Sequence, residues 1–539
     1  MKKNKISLLL LAFMLQLAAC NFLDLDPVDR VDEETYFQNR DEAYLALLGA
    51  YEPLRSDRTV ALNNILGMSA DIMSDDAYAG GGSVTDNYPL QNAGRFMNNP
   101  ADQGVVQGFW KKCYRGIARV NLLLDKYPEI NWKPSEQQDS LNFAAEATFL
   151  RAHYHFELLR WYENIPVVQQ VLDATNWRGI TQLDPAQAYA LVADDILEAI
   201  PHMMDQVPQS EQGRLSQWAA KAELLKVFQF YTGVYQKNSL PVAGGNDFTL
   251  ADAIAMAEEI IHESGHDLLA DYAAVFDADS DFNNEVLFEI PFFDRGGATP
   301  GADNHLGNFQ CQMSGPRGYN SDLLRAGYGF NIPTHSLYNA FEDSDPRRAV
   351  AIVTAEELLT RESATPNLEA GFTHTGMYAY KYTTHADRFP SAAPVQNWSQ
   401  NFHYIRFADV LLMAAELHLN NGNQGKALEY TNRVRNRVNL PSMTSVDLED
   451  IYQERRVELA LEGWRYFDLL RRGVDYADQH LTVTNYQMQA PSIPDLPQTG
   501  DVGNPQDFEV TFDKVKRGFL PIPLNELDLN NNLVQNAGY

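Results

Sequence analysis

Apolar residues recur along most of the chain at the three-and-four spacing of a helix face. Tyr44, Leu47, Leu48 and Tyr51 stand at i, i+3, i+4 and i+7, and Trp110, Tyr114, Ile117, Asn121 and Leu124 nearly repeat that pattern. The same periodicity predicts a long helix over 136–163, carried by Leu141, Ala145, Thr148, Ala152, Leu159 and Tyr162. Asp184-Pro185 marks a helix start, because the carboxylate accepts from free N–H groups and the proline has none to satisfy. Helices follow over 185–204, 216–236, 249–264, 402–420, 424–438 and 447–471. Strand-like runs are few and short: Val286 to Ile290, and Met377 to Tyr382.

One pair says more about architecture. Residues 407–438 read as a helix, an Asn/Gly turn and a second helix opening Gly425-x-Ala427-Leu428. Small residues at the crossing let two antiparallel helices pack closely, the logic of a tetratricopeptide repeat of about 34 residues. No strict period runs through the rest. Three stretches lack helical periodicity: 71–104, 291–334 and 383–401. Long irregular loops in a compact domain are usually functional or disordered. These carry many rings, including Tyr78, Tyr88, Phe96, Phe293, Tyr319, Tyr328, Phe389 and Trp398. Disordered segments are poor in aromatics, so ordered, functional loops are expected. The fold class that results is mostly α: tetratricopeptide-like helical pairs packed against a loop-rich half with few short strands.

Charge narrows the partners. The 539 residues hold 42 Lys+Arg against 72 Asp+Glu, a net charge of −30. Such a chain repels phosphate backbones, which argues against nucleic acid. Three cysteines exclude a disulfide scaffold or a Cys-rich zinc module. Residues 1–5 are basic, and Ile6 to Leu17 is apolar but too short to span a bilayer. Leu17-Ala18-Ala19-Cys20 follows, the bacterial lipobox pattern of Leu, two small residues and Cys. Residues 1–19 are therefore read as a lipoprotein signal peptide, and Cys20 as the lipidated residue. Residues 20–539 form a single body tethered to the membrane through that lipid. Cys113 and Cys311 have the chemistry to pair outside the cytoplasm. Cys113 sits on a helix-like face, which favours two buried free thiols.

Catalytic patterns are weak. His262-Glu263-Ser264-Gly265-His266 fits the zinc-protease spacing, which needs both histidines on one continuous helix. Gly265 falls where the helix begun near 249 should end, so it reads as a helix stop. His153 and His155 lie two apart, on different helix faces. Gly80-Gly81-Gly82 lacks the Lys-Ser/Thr of a phosphate loop. The cluster Glu454, Arg455, Arg456, Glu458, Glu462, Arg465 and Asp468 reads as a charged helix that docks a terminus or loop. No catalytic residue, metal site or cofactor is assigned.

A set of motifs in fixed order then points to a family. Cys20 to Pro27 reads C-N-F-L-D-L-D-P. Ala145 to Ala152 reads A-E-A-T-F-L-R-A and leads to Tyr154-His155-Phe156 and Ile165-Pro166. Gly213-Arg214-Leu215-Ser216 precedes Ala219-Ala220, and Arg406 to Leu412 reads R-F-A-D-V-L-L before Ala415-Glu416. Glu454-Arg455-Arg456, Glu458-Leu459, Glu462-Gly463 and Arg465 to Leu469 follow, and the chain ends Leu520-Pro521-Ile522-Pro523 to Gln535-Asn536-Ala537-Gly538-Tyr539. From Cys20 to Tyr539 the chain resembles the SusD/RagB family of outer-membrane nutrient-binding lipoproteins, with Ala537 where proline is usual.

The resemblance implies a helical fold with tetratricopeptide-like pairs. It implies a surface lipoprotein of the outer membrane that binds oligosaccharides, or peptides in some members. It also implies a SusC-like TonB-dependent transporter as partner, and no enzymatic activity. A surface glycosidase is the remaining alternative from another class. The ligand site of this family lies on variable loops, so it is expected where 71–96, 291–330 and 383–401 converge. The candidates are Asp75, Asp76, Tyr78, Tyr319, Asn320, Arg388 and Trp398. Tyr319 and Trp398 are expected to stack on sugar rings, and Asp75, Asp76, Asn320 and Arg388 to bond hydroxyls.

Overall fold

Helix boundaries follow the capping side chains. Asn39 accepts from the N–H groups of Asp41 and Glu42 and opens the helix Arg40–Tyr51. Asp184 accepts from the Ala186 N–H and opens Pro185–Ala199. Ser216 caps Gln217–Tyr235, and Thr249 with Asp252 forms a reciprocal capping box on Leu250–Glu263. These contacts belong to a computed structural model that describes residues 36–55, 66–294, 306–362, 371–391, 395 and 397–539. The leader 1–19, Cys20 and the motif Cys20–Pro27 lie outside the described residues, as do parts of the second and third loops.

The helices pack on one another pair by pair. Val105–Lys126 lies on Gln137–Tyr162, which lies on Pro185–Ala199. Gln217–Tyr235 packs on Leu250–Glu263, and Phe407–Asn420 packs on both Leu250–Glu263 and Gln424–Arg437. Gln137–Tyr162 has neighbours on both sides and is buried nearly all round from Phe143 onward. Its approach to Val105–Lys126 requires Gly116: a Cβ there would stand 2.3 Å from the Tyr154 ring. Tyr154 uses its hydroxyl to donate to Ala50 O at 2.7 Å, fixing a third helix to the pair.

Two expected helices are shorter than their periodicity suggested. Residues 402–406 are a strand, and the helix begins at Phe407. All five strand residues are buried, so no alternation betrays them. The stretch 447–471 is two helices, Leu448–Glu458 and Arg465–Leu470. Between them Leu461 and Gly463 take positive φ, 60° and 81°. A Cβ on Gly463 would meet Gly67 Cα at 2.6 Å, and its N–H donates to Asp71 Oδ1 at 2.8 Å. The break thus serves a close backbone approach that charged helical periodicity hides.

Among the described residues the strands form four two-stranded antiparallel sheets. In chain order they are β1 (Ala77–Gly80), β2 (Ser239–Leu240), β3 (Phe248–Thr249), β4 (Val286–Ile290), β5 (Phe330–Pro333), β6 (Ile352–Thr354), β7 (Met377–Ala379) and β8 (Phe402–Arg406). The pairs are β1–β5, β2–β3, β4–β8 and β6–β7. β1 and β5 pair Ala77 with Pro333 and Gly80 with Phe330, joining two of the aperiodic stretches.

The sequence motifs meet one another as buried ion pairs. Arg214 binds the Glu146 carboxylate, which also accepts from the Tyr51 hydroxyl at 2.6 Å. Arg406 donates to Glu462 at 2.8 Å, to Glu458 at 2.9 Å and to Glu285 at 2.6 Å. Arg455 reaches Asp409 at 2.8 Å and Asp468 at 3.0 Å. Asn536 donates to Tyr162 O and Leu520 O, tying the C-terminus to the end of Gln137–Tyr162. The charged stretch 454–468 therefore docks loops and neighbouring helices onto the core. Breaking a buried pair of this kind leaves a charge uncompensated, at about 3–5 kcal/mol.

His262 and His266 do not share a helix, because Leu250–Glu263 ends before Gly265, whose φ is 78°. His262 faces Glu258 at 2.9 Å, while His266 Nδ1 lies 2.9 Å from Asn284 O. Cys113 and Cys311 are both buried free thiols. No helix of the described residues is long and apolar enough to cross a membrane.

Candidate functional site

The three aperiodic stretches do converge, and backbone hydrogen bonds hold them together. Gly81 N–H donates to Gly329 O at 2.7 Å, and Gly329 N–H donates to Gly315 O at 2.9 Å. Tyr328 N–H donates to Gln312 O at 2.9 Å, and Arg325 N–H to Thr384 O at 2.7 Å. Asn308 N–H reaches Trp398 O at 2.7 Å. A loop platform results, with the segments near 80–88, 312–329 and 384–398 side by side.

Glycine makes the closest approach possible. Gly80 and Gly81 adopt φ of 75° and 79°, and a Cβ on Gly80 would lie 2.4 Å from Gly329 O. A Cβ on Gly82 would stand 2.6 Å from the Arg317 guanidinium. Arg317 therefore lies across the glycine run. It donates to Asp86 Oδ2 at 3.1 Å and to Tyr328 O at 2.9 Å, while Gly82 N–H donates to the same Asp86 oxygen at 2.8 Å. This pair stays in contact with solvent: the side chains of Arg317 and Asp86 are 35% and 34% exposed.

Exposed rings sit on the same segments, Tyr88 as the first residue of the short helix Tyr88–Gly94 that interrupts the first stretch and Phe389 on the third. Tyr88 is 55% exposed and Phe389 46%. The Arg325 guanidinium stands 5.5 Å over the Phe389 ring. Tyr328 is half-buried, with its ring 6.1 Å from Phe309. Guanidinium and carboxylate groups about one-third exposed, on segments that also carry exposed rings, suit a ligand with apolar C–H faces and many hydroxyls.

The sequence-derived candidates fall elsewhere, with one exception. Asp75 is clasped by Arg465 at 2.7 Å and Arg456 at 3.1 Å, its side chain 8% exposed. Those cations hold its carboxyl well below the usual range in spite of burial, which alone would raise it. Asp76 is fully buried and takes Arg456 Nε at 2.8 Å, and burial pushes its carboxyl up. Tyr78 is half-buried, standing edge-on to Phe508 at 5.1 Å. Tyr319 is buried in a small cluster with Leu324, Val353, Leu358 and Tyr378. Arg388 is buried and donates to Phe276 O at 3.0 Å. Trp398 is 1% exposed, and its indole N–H donates to Gln312 Oε1 at 3.2 Å. Of the seven, Asn320 alone is exposed.

Placing Tyr319 and Trp398 as stacking rings is therefore corrected: both pin their loops to the core. Asp75, Asp76 and Arg388 are likewise spent on internal partners. Asp86, Tyr88, Arg317, Arg325, Tyr328 and Phe389 occupy the open platform instead. Tyr88, Tyr328 and Phe389 were visible as loop aromatics, but nothing in the sequence separates an outward ring from an inward one.

Comparison with known proteins agrees with this arrangement of helical scaffold and loop face. Residues 284–539 match the SusD family model, and residues 22–228 match a family described as starch-binding and associating with the outer membrane. The chain belongs to the SusD-like family. A curated SusD-like protein of Formosa agariphila is 26% identical over 96% of each chain. Among solved structures, a laminarin-binding SusD-like protein is 28% identical, with a TM-score of 0.77 over 93% of this chain and all of its own. The surface glycan-binding protein A of Bacteroides thetaiotaomicron, solved with laminarihexaose, shares the SusD-like fold at 23% identity and a TM-score of 0.76, over 92% of this chain and 99% of its own. These neighbours are described as binding proteins.

Proposed function

We propose that this SusD-like protein binds glycans on the loop platform and delivers them to a SusC-like TonB-dependent transporter in the outer membrane. The observation that carries the reading is the Arg317–Asp86 pair, half-exposed between loops that also present Tyr88 and Phe389. Rings cover the C–H faces of sugars at small entropic cost, and the pair fixes orientation through hydroxyls. Asn320 remains part of this site. The protein acts by binding and not by catalysis. Lipid on Cys20 holds it at the outer membrane, facing outward, because several acyl chains anchor stably where one does not.

Laminarin is the first ligand to test, since a 28% identical neighbour is described as binding it. Native gels cast with laminarin, starch and other neutral polysaccharides provide the measurement. Retarded migration in at least one gel is expected. Unretarded migration in all, together with retention on a peptide column, would favour the peptide-binding alternative. Recovery of a TonB-dependent barrel with the protein from membranes tests the partner.

A further inference from the structure

Residues 482–512 leave the body and return at a single neck. Val483 and Val510 exchange backbone hydrogen bonds at 2.9 and 3.0 Å, and Phe512 N–H donates to Thr482 Oγ1 at 3.0 Å. Inside that neck the regular structure is two short 3-10 turns, Pro497–Thr499 and Pro505–Phe508. An excursion so long needs contacts with the body to hold one shape. Tyr486 and Phe508 stack on each other at 4.6 Å and 10°, and Tyr78 of β1 meets Phe508 edge-on. Asp501 accepts from the Tyr486 hydroxyl at 3.0 Å and the Gln489 N–H at 2.7 Å, and lies 2.8 Å from His335 Nε2.

Between this excursion and the body remains a cavity of about 220 Å³. Tyr78, Tyr486 and Phe96 give it aromatic walls, and His335, His480 and Ser336 line it with polar groups. Asp75 also lines it, and its charge is matched from behind by Arg465 at 2.7 Å and Arg456 at 3.1 Å. Each imidazole has one nitrogen committed: His335 Nε2 to Asp501, and His480 Nδ1 beside Asp75 Oδ2 at 3.6 Å. His335 Nδ1 and His480 Nε2 remain for a ligand. The volume falls below the roughly 300–1,000 Å³ of drug-sized sites and suits one six-membered ring. Aromatic walls favour a C–H face, and a lining carboxylate already paired with guanidinium groups favours hydroxyls over a formal charge.

We propose that this cavity is a second carbohydrate site, which takes one uncharged pyranose unit. β1 joins the two sites, with Ala77 and Tyr78 at the cavity and Gly80 at the platform. The unit is therefore either a free monosaccharide or the end residue of a chain held on the platform. The inference rests on the glycan reading for its ligand class, but not on the platform being the main site.

Saturation-transfer NMR on the full chain with glucose, galactose, mannose and glucuronate tests it, with laminarihexaose as a separate probe. At least one neutral hexose should receive saturation, and glucuronate none. Val510→Trp, which fills the wall near the neck, and Tyr486→Ala, which removes a ring, should each weaken that hexose at least about tenfold. The double variant Tyr88→Ala/Arg317→Ala should leave it unchanged. Thermal midpoints identify any variant that fails to fold. If laminarihexaose alone transfers, and only through its terminal residue, the unit is a chain end. Transfer to no hexose and to no terminal residue on the wild type would overturn the cavity site, as would loss with the platform variant but not with Val510→Trp or Tyr486→Ala. Polysaccharide gels read the platform separately: retardation with transfer to neither a free hexose nor a terminal residue of laminarihexaose sinks this site alone, and hexose transfer without retardation sinks the platform alone.

Discussion

Two carboxylate–guanidinium pairs, on carboxylates eleven residues apart in the chain, have opposite surroundings. Asp75 and Arg465 meet at 2.7 Å with side chains 8% and 6% exposed. Asp86 and Arg317 meet at 3.1 Å with roughly a third of each side chain in solvent. The first pair belongs to the ion network that joins Leu448–Glu458 and Arg465–Leu470 to the loops. The second lies across a glycine run on the loop platform. Identical chemistry is structural in one place and available in the other, and what differs is only what packs on top.

That contrast is broken most forcefully at the buried end. Asp75→Ala leaves Arg465 unpaired in the core and should cost about 3–5 kcal/mol of stability. Trp398→Ala should cost a similar amount, about 3–5 kcal/mol, because it opens a cavity and strands Gln312. In chemical denaturation both should lose stability while the folded fraction keeps its polysaccharide affinity at the loop platform. A lost polysaccharide affinity with unchanged stability at either position would return that residue to the platform site.

The next effect is a pH dependence from the same buried region. Burial pushes the Asp71 carboxyl up to about 8, although Gly463 N–H and Asn331 bond it. Its folded value lies above its unfolded one, so the folded state binds more protons between about pH 4 and 8. The stability it contributes is complete below the unfolded value and is lost as pH rises through about 8. Asp71→Asn should flatten the thermal midpoint across pH 5 to 8, removing a drift on the order of a few kcal/mol. An unchanged slope would show that other groups set it.

Smaller effects are expected on the open side. Tyr88→Ala should lower glycan affinity by about 2 kcal/mol if the ring is an anchor, with little change in midpoint. Arg317→Ala should shift stability by less than about 1 kcal/mol, as a half-exposed pair does, and weaken binding. A stability loss as large as that of Asp75→Ala would erase the distinction between the two pairs.

The helical half was legible because its signals are local. Capping at Asp184 and Thr249 and the turn before Gly425 lie within a few residues of what they control. The helices Gln137–Tyr162, Gln217–Tyr235, Leu250–Glu263 and Gln424–Arg437 lie within one residue of the bounds that periodicity predicts, for the same reason. The failures are long-range. β1 finds its partner β5 about 250 residues away, and β8 is buried on both faces, so neither shows a period. Leu461 and Gly463 break a helix to let Gly67 in, a contact no local pattern encodes. The convergence of the three loops could be anticipated from their shared lack of periodicity. Their inward and outward rings could not: Trp398 and Phe389 lie nine residues apart on one loop, and only the fold shows which of them faces solvent.

The most direct test is the pair of platform rings. Native-gel retardation by the polysaccharide that slows the wild type should be compared with that of Tyr88→Ala/Phe389→Ala, with thermal midpoints taken alongside. The account predicts that retardation is lost while the midpoint stays near that of the wild type, because both rings are about half in solvent. Full retardation by the double variant would contradict it and move the glycan site away from the platform.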